Sequence, residues 1–304
     1  MAARSEPFVA GPQSSPTGSR PVPVGLLTIG VVLIVLVVVI VLVVLKVTDN
    51  SPTPHTPTSV TQASAALVHQ VTSIPTGVFD AVGDPQSPLL EAPMALRDGS
   101  VPTVGGRPAV VWVGALFCPY CAADRWALVV ALGRFGTFDK LYTTASSGSD
   151  AFPDTVTFSL DGSVYSSTRV ALSAIEEYGN QPSHYAPAGF ARLGYPDALQ
   201  RAAMLSYDRA PWAQAGQLPF IDVAGKLVVS GQMFSPGLLD GYTMQQVANE
   251  LSDPATAVSQ AVLGAANQIT AAICAATSDE PATVCDTSAI RTTTKRLGLA
   301  IAER

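Results

Sequence analysis

The chain has 304 residues, enough for one or two folded domains, and carries a formal net charge of -6 with only 13% charged residues. The part beyond residue 46 is more acidic still, since Arg4, Arg20 and Lys46 precede it with a single acidic residue, Glu6. This balance argues against nucleic acid, and against an anionic membrane surface, as the partner.

The first 45 residues predict a tail and a membrane anchor. Residues 1–23 are polar and rich in Pro, Gly and Ser, which is typical of a short disordered tail. Residues 24–45 are uncharged and dominated by Val, Leu and Ile; as a helix they would rise about 33 Å, enough to cross a bilayer. A cleavable signal peptide has a shorter apolar region followed by small residues, so we expect a permanent single-pass transmembrane helix.

The charges flanking the anchor predict its orientation. Arg4 and Arg20 lie before it, whereas Lys46 lies close to Asp49 on the other side. This bias favours a cytoplasmic tail and a C-terminal domain outside the cytoplasm, at the cell membrane. All four cysteines follow the anchor, as expected for disulfides in an oxidising compartment.

Three further segments follow the anchor. Residues 46–73 predict a Pro/Thr-rich spacer and then a short amphipathic helix over 59–71. Residues 74–252 predict a folded α/β domain. Residues 253–304 predict a helical hairpin.

The most informative motif is Cys118-Pro119-Tyr120-Cys121. An apolar run with β-branched residues precedes it and predicts a buried strand over 109–115, while residues 122–135 fit a helix. Cys118 would then lie at a helix N-terminus, where unpaired N–H groups and the helix dipole stabilise a thiolate. Two thiols separated by two residues can close and reopen a strained disulfide. The motif therefore predicts thiol–disulfide exchange.

The rest of the folded domain predicts an alternation of strands and helices. Its elements are a strand over 140–144, two strands over 155–160 and 164–168 joined as a hairpin at Asp161-Gly162, helices over 169–178 and 197–207, a second hairpin of 218–223 with 226–230, and a helix over 243–251.

The last fifty residues predict two antiparallel helices. Asp253-Pro254 is typical of a helix start, and an Ala-rich helix would run to about Ala276. A returning helix would cover 286–302. Cys274 and Cys285 flank the turn, and their spacing favours a structural disulfide worth about 3 kcal/mol.

The order of strand, CxxC, helix, strand and Pro-led hairpin resembles the thioredoxin superfamily. The CPYC motif resembles that of glutaredoxins, while the predicted export and the helical insert before the hairpin resemble DsbA-type proteins. The stretch from Phe117 to Leu128 resembles an uncharacterised family of membrane-anchored, thioredoxin-like bacterial and archaeal proteins. The resemblance implies a thioredoxin-like fold with Cys118 as exposed nucleophile and Cys121 as buried resolving thiol.

The same resemblance implies a substrate-binding role for three further residues. Pro219 would match the cis-proline that faces the dithiol, Leu218 the residue whose backbone pairs with an extended substrate, and Tyr120 could contact the substrate.

Two positions depart from the pattern of the superfamily. Many members keep a buried carboxylate six residues before the nucleophilic cysteine, where this chain has Trp112. Asp124 and Arg125 are the nearest charged residues in sequence, and we expect both to face solvent. The residue before Pro219 is Leu rather than Thr or Val.

Other interpretations of the cysteines remain. A CxxC pair can be half of a zinc site, but the spacings fit structural zinc motifs poorly and His55, His69 and His184 are distant in sequence. A purely structural CPYC disulfide is the stronger alternative.

We therefore expect a membrane-anchored thiol–disulfide oxidoreductase that needs no cofactor or metal. Its partners would be exported cysteine-containing proteins, a membrane redox protein that recycles the dithiol, and the lipid bilayer through residues 24–45. The alternative is a non-catalytic thioredoxin-like scaffold in a cell-envelope complex.

Overall fold

The computed structural model describes residues 59–84, 92–97, 99–186 and 188–299. The predicted tail, the predicted anchor and the Pro/Thr-rich part of the linker lie outside these ranges. The described residues belong to one compact unit, His55–Arg304. They form a mixed α/β structure.

Helices and strands alternate along most of the described chain. The helices are α1 (Ala65–Thr72), α2 (Thr76–Val82), α3 (Pro119–Gly133), α4 (Ala198–Tyr207), α5 (Met244–Glu250), α6 (Ala257–Ala276), α7 (Ala282–Cys285) and α8 (Ser288–Leu297), with a 3-10 turn at Pro236–Leu239. The strands are β1 (Thr61–Gln62), β2 (Met94–Ala95), β3 (Thr103–Val104), β4 (Arg107–Gly114), β5 (Thr137–Ala145), β6 (Val156–Ser166), β7 (Ala171–Glu176), β8 (Tyr178–Pro182), β9 (Phe190–Arg192), β10 (Phe220–Val223) and β11 (Leu227–Ser230).

Strand β4 is the centre of the main sheet, as its apolar sequence predicts. The strand order is β2-β11-β10-β4, and β7 and β3 also pair with β4. Strand β10 is antiparallel to β4 and β7 is parallel to it. Residues Ala109–Gly114 are buried, because helices cover the sheet. The predicted hairpin of β10 and β11 is present, and its turn contains Gly225 at a φ of +66°.

The predicted hairpin at Asp161-Gly162 is wrong. Residues 156–166 form one continuous strand, β6, which pairs antiparallel with β5 in a second sheet of order β1-β5-β6. The register shifts around these two residues, so they form a bulge, and Gly162 takes a φ of +69° there. An Asp-Gly pair suits a bulge as well as a turn, because both need a residue with positive φ.

The predicted helix over residues 169–178 is also wrong. Residues 171–176 form β7, whose partners run from Ala109↔Ala171 to Gly114↔Glu176. Pairing with the central strand outweighs the local helical preference. Because residues 171–176 form a strand that pairs with β4, Glu176 lies directly beside Gly114 at the end of β4.

Helix α3 is buried on all sides. Strands β5 and β6 and helices α1 and α6 pack around it, and every residue from Pro119 to Leu132 except Tyr120 is buried. The long helix α6 belongs to the same hydrophobic core and begins at Ala257 behind an N-cap at Thr256, not at Asp253. By length and composition α6 could cross a membrane, but 83% of its apolar window is buried in the fold.

The C-terminal helices fold back on α6. A disulfide joins Cys274 at the end of α6 to Cys285 in α7, with an S–S distance of 2.02 Å. The returning helix is α8, shorter than expected, and it contacts α6 and α2. Residues 300–302 of the predicted helix lie outside the described part of the chain.

Candidate functional site

The CPYC motif forms the first turn of α3. Cys118 is the N-cap in an extended conformation, and Pro119 occupies the first helical position. The backbone N–H of Cys121 donates to the Cys118 Sγ at 3.2 Å. The sulfur therefore takes the place that a Ser or Asp oxygen occupies in an ordinary N-cap, where N–H groups and the helix dipole favour negative charge.

The two cysteines are both free thiols but differ in their surroundings. Cys118 is 5% exposed and Cys121 is fully buried. A hydrogen bond from the Cys121 side chain lowers the pKa of Cys118, and backbone N–H groups and the Arg125 charge act in the same direction. Burial raises the pKa of Cys121 well above its usual value, and the Cys118 and Glu176 charges add to this effect. The structure thus favours a thiolate at Cys118 and a thiol at Cys121.

The segment before β10 closes over Cys118. The Leu218-Pro219 peptide bond is cis, and the Leu218 carbonyl oxygen lies 3.8 Å from the Cys118 Sγ. The geometry brings the two cysteines, Leu218 and Pro219 together. Tyr120 is half-buried beside them, and its ring packs edge-on against Phe152 with 6.1 Å between centroids.

An aromatic cluster borders the site on the side of the β8–β9 hairpin. Phe117, the residue before Cys118, stacks on Phe190 with ring centroids 4.3 Å apart, and it meets Tyr178 edge-on. Arg192 lies over the ring of Tyr178. Both Phe117 and Phe190 are half-buried, so they form part of the surface next to the Cys118 sulfur.

Arg125 is buried, so the expectation that it faces solvent is wrong. Its Nε lies 2.8 Å from Oε1 of Glu176, its Nη2 lies 2.6 Å from Oε2, and Nη2 also donates to the Ala115 carbonyl oxygen. Burial opposes the charge of Arg125, but the Glu176 carboxylate outweighs it and raises the Arg125 pKa. The remaining Nη1 is buried and, among the described residues, has no hydrogen-bond partner.

Glu176 places a carboxylate beside Trp112, the position where the superfamily pattern has a carboxylate and this chain has none. The Trp112 indole N–H donates to the Glu176 Oε1 at 3.1 Å. Trp112, the departure noted in the sequence, thus donates a hydrogen bond to a carboxylate that the neighbouring strand β7 supplies. The sequence analysis missed Glu176 because it predicted a helix over 169–178. In the structure this segment contains β7, which is parallel to β4, and Glu176 lies opposite Gly114.

Asp124 is also buried, which corrects the second expectation of a solvent-facing charge. Both of its carboxylate oxygens accept the N–H of Met233, at 3.0 and 3.2 Å, and no cation pairs with it in the described structure. Burial raises the pKa of Asp124 well above the usual range, and the charge of Cys118 raises it further. Both corrections have one cause: α3 has no solvent face.

No group of three His, Cys, Asp or Glu side chains suited to a metal ion occurs among the described residues. The charged groups near the two thiols are Arg125, Glu176 and Asp124, and aromatic rings border the site. The chemistry available to this set is nucleophilic attack by sulfur, with nearby groups that stabilise a thiolate and exchange protons.

The fold and the site together define a mixed α/β protein with an asymmetric cysteine pair at the N-terminus of a buried helix. Comparison with protein families identifies its relatives: the model of the family described as a domain of unknown function (DUF929) matches residues 102–181 and 199–275, just over half of the chain. The chain belongs to this family. No curated protein and no solved structure matches it.

The matched residues contain most of the site. They include the CPYC motif, Asp124, Arg125, Glu176 and the Leu218-Pro219 segment. They leave out Phe190 and Cys285.

Proposed function

We propose that the protein is a thiol–disulfide oxidoreductase with a thioredoxin-like fold and Cys118 and Cys121 as its redox pair. The observation that carries the proposal is the asymmetry of the two thiols. Cys118 accepts the Cys121 N–H at the start of α3 and has a lowered pKa, whereas Cys121 is fully buried with a raised pKa. An attacking thiolate beside a protonated resolving thiol is the arrangement that exchange needs.

The sheet topology supports the thioredoxin-like part of the proposal. Strand β4, helix α3 and the parallel strand β7 are followed by the antiparallel hairpin of β10 and β11, in the order β11-β10-β4-β7. The CPYC motif follows the first of these strands and Pro219 precedes the hairpin, as the resemblance in sequence implies.

Exchange would proceed through a mixed disulfide. A substrate thiolate attacks the Cys118 sulfur of the oxidised pair, a bond forms between the two sulfurs, and Cys121 leaves with the electron pair of the broken Cys118–Cys121 bond. The second substrate thiolate then attacks the substrate sulfur bound to Cys118, and Cys118 leaves as a thiolate. The substrate is oxidised to a disulfide and the protein is reduced to a dithiol.

We propose oxidation as the main direction. A hydrogen bond from Cys121, the helix N-terminus and Arg125 all stabilise the Cys118 thiolate, and therefore the reduced protein. A stabilised reduced form makes the disulfide a stronger oxidant. With the predicted anchor at residues 24–45, the substrates would be exported cysteine-containing proteins, and a membrane redox protein would reoxidise the dithiol.

The test is to trap the mixed disulfide on the full-length chain in detergent. Cys121→Ser should accumulate a covalent complex with a reduced substrate protein after mild oxidation, whereas Cys118→Ser and the matched control Cys274→Ser/Cys285→Ser should not. In parallel, a titration against glutathione with mass mapping of alkylated cysteines should give a Cys118–Cys121 potential near about -120 to -180 mV. A pair that resists reduction as firmly as Cys274–Cys285 would instead indicate the non-catalytic scaffold.

A further inference from the structure

The most exposed apolar side chains of the described structure belong to one segment. Among the large hydrophobic residues at the surface of the described ranges, the four most exposed are Tyr185 at 100%, Leu205 at 77%, Tyr195 at 74% and Leu193 at 47%. The segment from 185 to 205 contains β9 and most of α4. Exposed apolar residues that gather in one region, rather than scatter, indicate a surface that meets a partner.

A continuous row of rings leads from this segment to the redox motif. The guanidinium carbon of Arg192 lies 4.2 Å from the ring centroid of Tyr178 and 4.5 Å from that of Tyr195. Tyr178 meets Phe117 edge-on, and Phe117 stacks on Phe190. We call these five residues the aromatic row. It begins at the residue before Cys118 and ends at a tyrosine that is mostly in solvent.

The chain enters the described structure beside the same hairpin. Thr61 of β1 pairs with Thr143 of β5. The next residue of β5, Thr144, accepts a hydrogen bond from the side chain of Asn180 in β8 at 2.8 Å. Val60, the fifth most exposed large hydrophobic residue of the described ranges at 43%, lies at this entry point. The entry point and the β8–β9 hairpin are therefore neighbours.

The end of β5 also meets the redox motif. The backbone N–H of Ser147, just beyond β5, donates to the carbonyl oxygen of Phe117 at 2.9 Å. Thirteen residues, 46–58, separate the predicted anchor from the start of the described ranges. Fully extended, they would reach about 45 Å, which is comparable to the width of a folded domain of this size. A tether of that length, attached beside the aromatic row, would hold the row and the CPYC motif nearer to the bilayer than the opposite end of β4.

The chemistry of the row fits the boundary between lipid headgroups and acyl chains. Tyrosine rings are amphipathic and enriched at membrane–water interfaces, and an arginine between rings can bury its stem and keep its charge at the level of the phosphates. The Arg192 charge is balanced by Glu177 at 3.6 Å. Contact would therefore depend on apolar area rather than on attraction to anionic lipid, which agrees with the acidic balance of the chain.

We propose that the aromatic row, together with Tyr185 and Leu193, docks on the surface of the bilayer that holds the predicted anchor. The inference rests on the anchor at residues 24–45 and adds a location to the proposed function. Cys118 then exchanges disulfides at the membrane surface, where the membrane protein that reoxidises the dithiol is within reach.

The test is fluorescence quenching on the full-length chain in phosphatidylcholine liposomes. Tyr195→Trp places an indole at the end of the row, and lipid brominated in the upper part of one acyl chain quenches an indole that touches it. After subtraction of the wild-type signal, we expect brominated lipid to lower the emission of Tyr195→Trp by about twofold or more, because a docked ring lies in the headgroup and upper acyl region.

Val104→Trp is the matched control. Val104 is also an exposed apolar residue, at 39%, but it lies on β3, which pairs with the start of β4 and not with the end that leads to Cys118. Its emission should be the same in plain and brominated lipid. Equal quenching of the two probes, or no quenching of Tyr195→Trp, would overturn the proposal. A loss of quenching in about 1 M salt would also overturn it, because salt screens exposed charges and leaves ring contacts intact.

A polypeptide is the other occupant that rings can take, and the same probe detects it. If lipid leaves Tyr195→Trp unquenched while a mixed disulfide of Cys118 with a cysteine-containing peptide shifts its emission, the row binds the substrate and the membrane role fails. Tyr185→Trp, at a fully exposed position, repeats the quenching measurement should Tyr195→Trp fail to fold.

Two controls separate docking from the anchor and from the exchange activity. Flotation of the liposomes after an alkaline wash tests the anchor; a chain that washes off has none, and docking fails with it. Quenching needs no reactive thiol, so Tyr195→Trp should be quenched equally when Cys118→Ser/Cys121→Ser is added. Intact quenching in a chain that forms no mixed disulfide would keep the docking and refute the oxidoreductase.

Discussion

The chain uses cysteine in two regions with opposite physical settings. Cys118 and Cys121 lie at the start of α3 among an ion pair and a buried carboxyl, as free thiols. Cys274 and Cys285 join α6 to α7 across eleven residues, in apolar surroundings of the common core. The comparison teaches that spacing decides which disulfides each pair can form, and that charge and backbone donors decide which sulfur is favoured as a thiolate.

We expect the largest effect from removing the buried charge of Arg125, which lies beside the CPYC cysteines. Arg125→Met leaves the Glu176 carboxylate buried without its cation, so we expect the free energy of unfolding to fall by about 3–5 kcal/mol, measured by urea denaturation. Arg291→Met is the control, because the Arg291–Asp286 pair is 59% and 60% exposed and its loss should cost less than about 0.5 kcal/mol. An equal effect of the two substitutions would contradict the assigned role of burial.

The double variant Arg125→Met/Glu176→Leu separates stability from reactivity. It replaces the buried pair by apolar groups, so most of the lost stability should return. The pKa of Cys118 should nevertheless rise, because the Arg125 charge lowers it. Alkylation rates of Cys118 against pH measure this shift; an unchanged profile would show that the helix N-terminus and Cys121 suffice.

The second region should contribute stability and no reactivity. Cys274→Ala/Cys285→Ala removes a cross-link over eleven residues, and we expect a loss of about 3 kcal/mol in the free energy of unfolding. Thiol exchange at 25 °C should keep its wild-type rate, measured on the full-length chain. A parallel loss of exchange would place the C-terminal helices in the reactive machinery.

The asymmetry inside the first region predicts a difference in alkylation. Near pH 7 the Cys118 thiolate is favoured and the Cys121 thiol stays protonated, so Cys118 should react with iodoacetamide much faster than Cys121, because the thiolate is the nucleophile. Cys118→Ser exposes the slow reaction of Cys121 and serves as the reference. As pH rises above the ordinary thiol range, stability should fall, because the folded state binds the Cys121 proton more tightly than the unfolded state does.

The smallest expected effect concerns the aromatic border of the site. Phe190→Ala removes the ring stacked on Phe117, which should destabilise the β8–β9 hairpin contact by about 0.5–1.5 kcal/mol beyond the loss of buried area. Tyr207→Ala removes a different ring pair, the edge-on pair with Trp212, which includes no residue of the CPYC motif or of its aromatic border, and is the control. Mixed-disulfide formation should slow only in Phe190→Ala; equal rates would indicate that the stacked rings do not position Cys118.

The sequence predicts the elements whose signals are local. The apolar run before Cys118 became β4, the CPYC motif became the start of α3, and the hairpin after Pro219 became β10 and β11. Each depends on periodicity or on a turn residue that neighbouring positions display directly.

The tertiary structure alone decided the surroundings of the dithiol. Glu176 reaches the site because β7 pairs parallel to β4, a contact between residues more than sixty positions apart, and such pairing can reverse a local helical preference. Asp124 and Arg125 are buried because the sheets and α6 close around α3, which no pattern within the helix itself records. The sequence by itself determined which atoms can react; the packing of distant segments determined the charges that surround them, because burial and electrostatics depend on the whole fold.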